Sequence, residues 1–323
     1  MKMALVTPAP PLSLSGNRAT AKRWSKLLRA AGHKVDILEQ WDVDNGSYDL
    51  MIALHAWRSR NSIAAFSKRF PDRALIVVLT GTDVYHFQRT HPKATRTSLA
   101  CANALIGLHD YVSHDIPTDF HSILHTVYQS ALPLPASYRG LLARDYTLCV
   151  VGHLREEKDS LRAAEAARLL PRESRIRIVQ AGRAHTPEWT IAARAQMDDN
   201  PRYSWVGEIS QTAVRRLYAR SQAMVISSIM EGGANVLSEA CVAGLPVIAS
   251  NIPGNTGLLG KDYPGLFPPG DSAALAAMMT SFESDFAFRA VLTDRCQAMA
   301  PRYTPEAEKA ALLAVIHKIS PEL

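Results

Sequence analysis

Short apolar runs alternate along the chain with stretches of helical periodicity. This alternation predicts an α/β fold in which helices connect the strands of parallel sheets. In the first half of the chain, the runs predicted as strands are 2–6, 34–38, 50–54, 75–79, 104–108 and 122–127. The alternation begins again at residue 148, with predicted strands at 148–151, 175–181, 203–206, 223–227 and 246–249. We therefore expect two similar, doubly wound domains.

Length supports the same division, because 323 residues exceed the usual size of a single domain. The stretch 130–137 contains two prolines and is predicted to be the linker. We expect domains at 1–135 and 140–300, with closure about a hinge at 130–140.

Composition is that of an ordinary globular protein, with 47% hydrophobic and 20% charged residues. No apolar run approaches the ~20 residues of a membrane span, and the N-terminus enters a strand without a signal-peptide pattern. We therefore expect a cytoplasmic protein. The four cysteines lack metal-binding spacing and are expected to be buried, reduced thiols. The net charge of +6 is spread along the chain, so small anionic substrates explain it without nucleic acid.

The most informative stretch is Glu231-Gly-Gly-Ala-Asn-Val-Leu-Ser-Glu239, in which two carboxylates flank a glycine-rich turn. A buried strand is predicted before it, at 224–228, and a helix after it, at 236–242. The N–H groups at the helix start, together with the helix dipole, form a preformed binding site for a diphosphate. These groups belong to Gly233, Ala234, Asn235 and Val236. About two turns into the helix, Glu239 is expected to bind a diol such as ribose, while Glu231 faces the group beyond the far phosphate.

A second motif, Val150-Val-Gly152-His-Leu-Arg155-Glu-Glu-Lys158, places two cations after a predicted strand. Arg155 offers a bidentate fork and Lys158 a point charge, so together they can stabilise a diphosphate leaving group. Taken alone, this spacing is also typical of a solvated helix face. The acid pair that begins 76 residues after Arg155 favours the binding role.

Together these motifs resemble those of the retaining glycosyltransferases of family four, which have the GT-B fold. The resemblance implies two Rossmann-like domains that face a central cleft, with the last helix, 305–323, packed back on the first domain. It also implies that Arg155 and Lys158 hold the diphosphate of a nucleotide-sugar beside Gly152, and that Glu231 binds sugar hydroxyls.

The same resemblance implies that uracil binds near Gly182-Arg183 and Trp205-Val206. No metal site and no cofactor are expected. His121 and His125 do not suggest zinc, because in the predicted strand 122–127 four residues span ~13 Å. The stretch 254–262 imitates a phosphate-binding loop but has one residue too many before its Gly-Lys, so it is predicted to be a turn.

Ligands of open α/β sheets bind at the carboxyl ends of strands, and polar residues follow several predicted strands of the first domain. The candidates for binding the acceptor are Gly16, Asn17, Arg18, His55, Arg58, Thr82 and His109. Gly16 lets the backbone approach a phosphate, to which Asn17 and Arg18 can donate. An ordinary helix start explains that group equally well, and a packed core histidine explains His55. Thr80 stands where the family commonly has histidine and His109 where it has serine, so we expect an unusual acceptor pocket.

The N-terminal motifs also resemble those of the selenosugar synthases of bacterial selenoneine biosynthesis. The matching stretches are Gly16-Asn17-Arg18-x-Thr20-Ala21-x-Arg23-Trp24, Leu54-His55-Ala56-x-Arg58-Ser59 and Leu79-Thr80-Gly81-Thr82-Asp83-x-Tyr85. This resemblance implies transfer of a sugar from UDP-N-acetylglucosamine or UDP-glucose to selenophosphate, with formation of a C–Se bond. Such a trianionic acceptor suits a cationic pocket, expected to consist of Arg18, His55, Arg58 and His109.

Three alternatives stay open. A conventional hexosyltransferase acting on a lipid or sugar hydroxyl would share the residues that bind the UDP-sugar, and the basic stretch 22–26 is an indication of a membrane-docking helix. A sugar-nucleotide epimerase would turn over the UDP-sugar without an acceptor. A protein that only binds nucleic acid or a nucleotide-sugar is the third. The sequence carries no signal of an oligomeric state.

Overall fold

The computed structural model describes residues 1–13, 15–138 and 146–320. The chain divides into two compact units. Met1–Gln129 together with Pro305–Leu323 form the first unit, and Ser130–Thr304 form the second. The predictions that concern 139–145, at the hinge and the start of the second domain, and 321–323, at the end of the last helix, lie outside the described residues.

Each unit is built on a six-stranded parallel sheet. The strands of the first sheet are β1 (Lys2–Val6), β2 (Lys34–Leu38), β3 (Leu50–Leu54), β4 (Ala74–Val78), β5 (Ala104–Gly107) and β6 (Leu124–Thr126), in the order β2-β1-β3-β4-β5-β6. Those of the second are β7 (Tyr146–Val151), β8 (Ile176–Ala181), β9 (Tyr203–Trp205), β10 (Ala223–Ile226), β11 (Val247–Ser250) and β12 (Leu266–Phe267), in the order β12-β11-β10-β7-β8-β9. The winding reverses between β1 and β3 and again between β7 and β10, and ligands of such sheets bind at these points.

Helices connect the strands in both units. They are α1 (Gly16–Ala30), α2 (Arg60–Arg69), α3 (Gln88–Thr90), α4 (Pro92–Ala100), α5 (Arg162–Arg168), α6 (Pro187–Asp199), α7 (Gln211–Arg220), α8 (Asn235–Val242), α9 (Pro253–Leu259), α10 (Ser272–Ser284), α11 (Phe286–Met299) and α12 (Pro305–Ile319). A π-helical turn, Asp83–Phe87, directly precedes α3. Among the helices of the described residues, none combines the length and the apolar character that a membrane crossing requires.

The predicted strands are confirmed, with bounds that differ from the structure by at most two residues at either end. The short strand β12 was not predicted, since two residues carry no readable alternation. The prediction of a turn at 254–262 is wrong for most of its length, because residues 254–259 belong to α9. Pro253 suits the first helical position, and Leu258 and Leu259 are buried.

The strands at the centre of the first sheet are buried along their full length, because helices cover both faces. One face packs against Trp24 and Leu28 of α1 and Leu312 of α12. The other packs against Trp41 and Phe66. Each large apolar side chain buried in this way stabilises the fold by about 1.5–3 kcal/mol.

A buried carboxylate joins α12 to α1 in the first unit. Glu308 accepts hydrogen bonds from Nε of Arg23 at 2.7 Å and from Nε1 of Trp24 at 2.6 Å. These contacts orient the basic stretch 22–26, whose apolar residue, Trp24, is fully buried. A membrane-docking helix needs its apolar side chains outside, so this arrangement does not support that role for the stretch.

Candidate active site

The cation motif lies in a loop that begins where β7 ends. Arg155 has an extended backbone and precedes a short 3-10 turn. The hydroxyl of Ser160 accepts a hydrogen bond from the N–H of Arg155 at 3.0 Å, which closes the loop on itself. Ser227, after β10, donates to the carbonyl oxygens of Lys158 and Asp159 at 3.2 and 3.0 Å. The loop is therefore fixed against the neighbouring strand.

Lys158 and Glu231 form an ion pair. The ammonium of Lys158 donates to Oε1 of Glu231, and the hydroxyl of Ser228 donates to the same oxygen at 2.6 Å. Glu231 is only 7% exposed. Both side chains line a small cavity at the carboxyl ends of β7 and β10, together with Gly152 and Val236. The structure thus brings residues of both predicted motifs to one cavity.

The helix α8 begins directly after the glycine-rich turn. Its N-cap residue, Ala234, has no side-chain acceptor, and Gly233 has a positive φ of 147°, which favours glycine. The first turn therefore has no side-chain cap and keeps the positive end of the helix dipole. Further along α8, Glu239 accepts a hydrogen bond from the hydroxyl of Tyr218 at 2.8 Å. Burial, followed by the charge of Glu239, raises the pKa of Tyr218 well above its usual value.

The residues predicted near uracil lie together at the ends of β8 and β9. Only glycine fits at position 182, because a Cβ atom there would lie 1.9 Å from the carbonyl oxygen of Gly152. Nε1 of Trp205 donates to the carbonyl oxygen of Gly182 at 2.8 Å. The N–H of Arg183 donates to Nδ1 of His153 at 3.2 Å.

Arg155 lies apart from the ion pair. Its Nε is 3.8 Å from Oε2 of Glu157 and has no hydrogen-bond partner among the described residues. Burial, followed by the charge of Arg155, lowers the pKa of His185. Within the described ranges, the lining of the cavity at Lys158 does not include Arg155. The two predicted cations are therefore in different surroundings.

His55 follows β3 and has a left-handed backbone (φ 73°), which is uncommon for a residue with a side chain. Its Nδ1 accepts the N–H of Arg58 at 3.1 Å, so the ring proton is on Nε2, which lies 2.9 Å from Oγ1 of Thr82. Burial lowers the pKa of His55. His55 is therefore a neutral hydrogen-bond donor to Thr82, and the prediction that it is cationic is wrong.

His109, after β5, has hydrogen bonds of the same kind as those of His55. Its Nδ1 accepts the N–H of Tyr111 at 3.2 Å, and its Nε2 lies 3.0 Å from the hydroxyl of Tyr85. Burial lowers the pKa of His109 to about 4, so the ring is uncharged at neutral pH. The prediction of a cationic His109 is also wrong. The positive charge of the predicted acceptor pocket therefore comes from Arg18 and Arg58.

Asp83 fixes the segment that carries Thr82 and Tyr85, which are the partners of His55 and His109. Its carboxylate is fully buried and accepts backbone N–H groups of Thr80 at 2.9 Å, Gly81 at 2.8 Å and Ala56 at 3.0 Å. These bonds join the segment after β4 to the segment after β3. Since Ala56 follows His55 and Asp83 follows Thr82, the carboxylate sets the distance between those two side chains.

Arg18 is a buried cation in the first turn of α1. The hydroxyl of Ser15 caps this helix, and Gly16 and Asn17 are its first two residues. Arg18 is 8% exposed, and within the described residues its Nε has no hydrogen-bond partner and its guanidinium no acidic partner. The buried hydroxyl of Thr7, after β1, likewise has no partner in the described part of the chain. A buried arginine keeps its charge, so a ligand that brings the counter-charge explains this arrangement.

Residues 140–298 match the family of glycosyl transferases group 1. The matched range contains both motifs predicted to bind the UDP-sugar, from Gly152 to Glu239. Over a longer range, the chain is similar to "Glycosyltransferase 1 domain-containing protein 1" of Xenopus tropicalis, with 23% identity over 277 residues. That match covers 78% of this chain and 79% of the frog protein.

Two solved structures resemble the whole chain. HepE of Anabaena, in complex with UDP and glucose, matches with a TM-score of 0.78 at 16% identity, over 98% of this chain and 100% of that chain. Sucrose-phosphate synthase of Thermosynechococcus elongatus matches with a TM-score of 0.80 at 16% identity, over 100% of both chains. Together with the two six-stranded parallel sheets, these matches confirm the predicted GT-B fold class.

Two residues of the candidate site were not predicted. Asp83 ends the motif Thr80-Gly81-Thr82-Asp83, where an acid beside small residues is a signal for a carboxylate that binds backbone N–H groups. Ser228 has no such signal, because its role depends on a contact with Glu231. In the ranges 1–13, 15–138 and 146–320, no cluster of three or more His, Cys, Asp or Glu side chains is arranged to hold a metal ion.

The protein is expected to lose stability in mild acid through His109. Its pKa is about 4 in the folded state and near 6.5 in the unfolded state, so the unfolded state binds the proton first as the pH falls. Between pH 6.5 and pH 4 this linkage lowers the free energy of unfolding by about 3 kcal/mol. Urea unfolding of wild type and His109→Asn at pH 7 and pH 4 measures it, with the exposed His86→Asn as control. An equal pH dependence of wild type and His109→Asn would contradict the expectation.

Proposed function

We propose that this chain transfers a sugar from a UDP-sugar, UDP-N-acetylglucosamine or UDP-glucose, to selenophosphate. The product would be a 1-seleno-sugar for selenoneine biosynthesis. The match of residues 140–298 to the glycosyl transferases group 1 supports the transfer of a sugar. The complex of the structurally similar HepE with UDP and glucose supports UDP as the nucleotide of the sugar donor.

The proposed site for the UDP-sugar is the cavity of the second unit. Lys158 and the N–H groups at the start of α8 stabilise the diphosphate, and Arg155 joins them when its side chain turns from Glu157. Glu239 binds the ribose hydroxyls. Glu231 accepts a hydrogen bond from a hydroxyl of the sugar and orients the ring.

One observation supports the hypothesis that the acceptor is an anion: Arg18 is buried with no acidic partner among the described residues. A hydroxyl acceptor leaves that charge unpaired, whereas selenophosphate supplies several anionic oxygens to it. The exposed Arg58 adds a second cation in this proposal. His55 and His109 keep their partners Thr82 and Tyr85 ordered, and the hydroxyl of Thr82 is left free to donate its proton to an oxyanion.

In the proposed reaction, selenium attacks the anomeric carbon while the bond from that carbon to the diphosphate oxygen breaks. UDP leaves with the electron pair, and the positive groups around the diphosphate stabilise the charge that develops there. Selenophosphate arrives ionised, so no general base is needed, and the residues of the chain position the reactants. Water then cleaves the P–Se bond, which gives the 1-seleno-sugar and phosphate. The proposal includes no metal ion and no cofactor.

A panel of acceptors tests the proposal. The protein is incubated with UDP-N-acetylglucosamine or UDP-glucose and either selenophosphate, phosphate, glucose or a glycerolipid, and the products are identified by mass spectrometry. We expect release of UDP and a product with a C–Se bond from selenophosphate alone. Glycosylation of glucose or the lipid without reaction of selenophosphate would instead establish a conventional hexosyltransferase. Conversion of the UDP-sugar without any acceptor would establish an epimerase.

A further inference from the structure

Ser228 is buried beside the proposed site for the UDP-sugar and has one polar partner there. Its side chain is 1% exposed and follows β10 by two residues. The hydroxyl donates to Oε1 of Glu231 at 2.6 Å, the oxygen that also accepts from Lys158. Within the described residues, the other carboxylate oxygen, Oε2, has no hydrogen-bond partner. Glu231 therefore has one oxygen held twice and one oxygen available to a ligand.

Neighbouring elements fix Ser228 in turn. Its carbonyl oxygen accepts a hydrogen bond from the hydroxyl of Ser250, at the end of β11. Nδ2 of Asn255, in α9, donates to both the carbonyl oxygen and the hydroxyl of Ser250 at 3.0 Å. All three residues are buried. The backbone of Ser228, which carries the hydroxyl, is thus held by β11 and α9.

The backbone of Glu231 is held from another direction. Gly254 packs so tightly against it that a Cβ atom at position 254 would lie 2.1 Å from the carbonyl oxygen of Glu231. No side chain fits at such a distance. The carboxylate and the main chain of Glu231 are therefore both supported by residues outside its own turn.

We propose that Ser228 is a positioning residue that keeps the Glu231 carboxylate in place when Lys158 turns to the diphosphate of the UDP-sugar. This inference rests on the proposed function. A diphosphate carries more negative charge than one carboxylate, so it competes for the ammonium of Lys158. The neutral hydroxyl of Ser228 is less attracted to the phosphate, and its donation to Oε1 persists. Oε2 then faces the sugar and accepts a hydrogen bond from one hydroxyl.

The effect of Ser228 is therefore exerted on the sugar and not on the nucleotide. Loss of the hydroxyl frees the carboxylate to rotate once Lys158 has left it. The anomeric carbon is then less well placed for attack, because misplacement by a fraction of an ångström slows a positioned reaction. The binding of UDP, which lacks the transferred sugar, depends on the other groups of the site and is left unchanged.

The variant Ser228→Ala tests this role. We expect kcat to fall ~10–100-fold, the range for loss of a hydrogen bond to a charged group, while the Kd for UDP stays within about twofold of wild type. The matched control is Ser98→Ala, since Ser98 is equally buried and donates only to the backbone of its own helix. Thermal unfolding of each variant shows whether it is folded. Ser228→Thr, which restores a hydroxyl, is expected to recover part of kcat.

A double-mutant cycle separates positioning from general damage to the structure. In a Glu231→Ala background, Ser228→Ala is expected to cause no further loss of kcat, because its only proposed target is absent. An equal loss in both backgrounds, or a rise in the Kd for UDP that matches the loss of kcat, would overturn the inference. If Ser228→Ala does not fold, the same cycle with Ser228→Cys gives the answer. Wild-type turnover of Glu231→Ala would instead remove Glu231 from the proposed site, whereas the absence of turnover by the wild type would contradict the proposed function itself.

Discussion

Replacement of Lys158 by alanine is expected to reduce turnover of the UDP-sugar at least ~100-fold, as removal of one preorganised charge at a leaving group does. The ammonium lies in the same cavity as Gly152 and Val236, next to the uncapped start of α8. Negative charge grows on the diphosphate as the anomeric bond breaks in the proposed reaction, and Lys158 is the cation among the described residues that line this cavity. Steady-state kinetics with saturating acceptor measures the loss.

Two control variants test whether the loss of turnover depends on the position and on the charge of Lys158. Lys261→Ala removes an exposed lysine of the same domain and should leave kcat unchanged. Lys158→Arg keeps the charge but replaces a compact ammonium by a planar fork, so we expect it to retain part of the activity. Lys158→Ala also leaves the buried Glu231 with only Ser228 as a donor, so its thermal unfolding must be measured alongside. A folded Lys158→Ala variant with turnover within threefold of wild type would remove Lys158 from the proposed mechanism.

The sequence predicted the cavity of the second unit well, for a reason that lies in the topology. Gly152 and Lys158 follow β7, and Glu231 and Val236 follow β10, and these two strands are neighbours in the sheet. The carboxyl ends of neighbouring parallel strands meet at one edge, so two motifs far apart in the chain can be assigned to one place. Their direct contact was not predicted. The ion pair of Lys158 and Glu231 spans 73 residues and depends on the shapes of two loops.

The charge state of His55 and His109 in the first unit could not be predicted from the residues alone. A histidine after a strand is cationic or neutral according to its burial and to the partner of each ring nitrogen. His55 and His109 both receive a backbone N–H on Nδ1 and are both 1% exposed, and neither fact is visible in the spacing of the motifs. The prediction of a turn at 254–262 was wrong for a similar reason, because the glycines suggested a turn whereas the burial of Leu258 and Leu259 favours a helix.

Arg18→Met is expected to separate acceptor binding from stability. The KM for selenophosphate should rise ~100-fold or more, because a buried cation that pairs with an anionic substrate is lost, while the Kd for UDP is unchanged. The free energy of unfolding should rise at the same time, by about 1–4 kcal/mol, because methionine fills similar space without the cost of an unpaired charge. Kinetics at varied selenophosphate and urea unfolding of the unliganded protein measure the two effects.

A second arginine of the same helix gives the opposite expectation and serves as the matched control. Arg23 donates to the fully buried carboxylate of Glu308, so Arg23→Met leaves that carboxylate with less compensation and should lower the free energy of unfolding. The same substitution at Arg18, which lies five residues or about 7.5 Å of helix rise earlier, should raise it. Natural sequences retain a destabilising buried charge where binding requires it, so opposite signs at the two positions distinguish a ligand site from a structural ion pair. If Arg18→Met destabilises the protein as Arg23→Met does and leaves the KM for selenophosphate unchanged, Arg18 belongs to the fold and the anionic acceptor loses its main support.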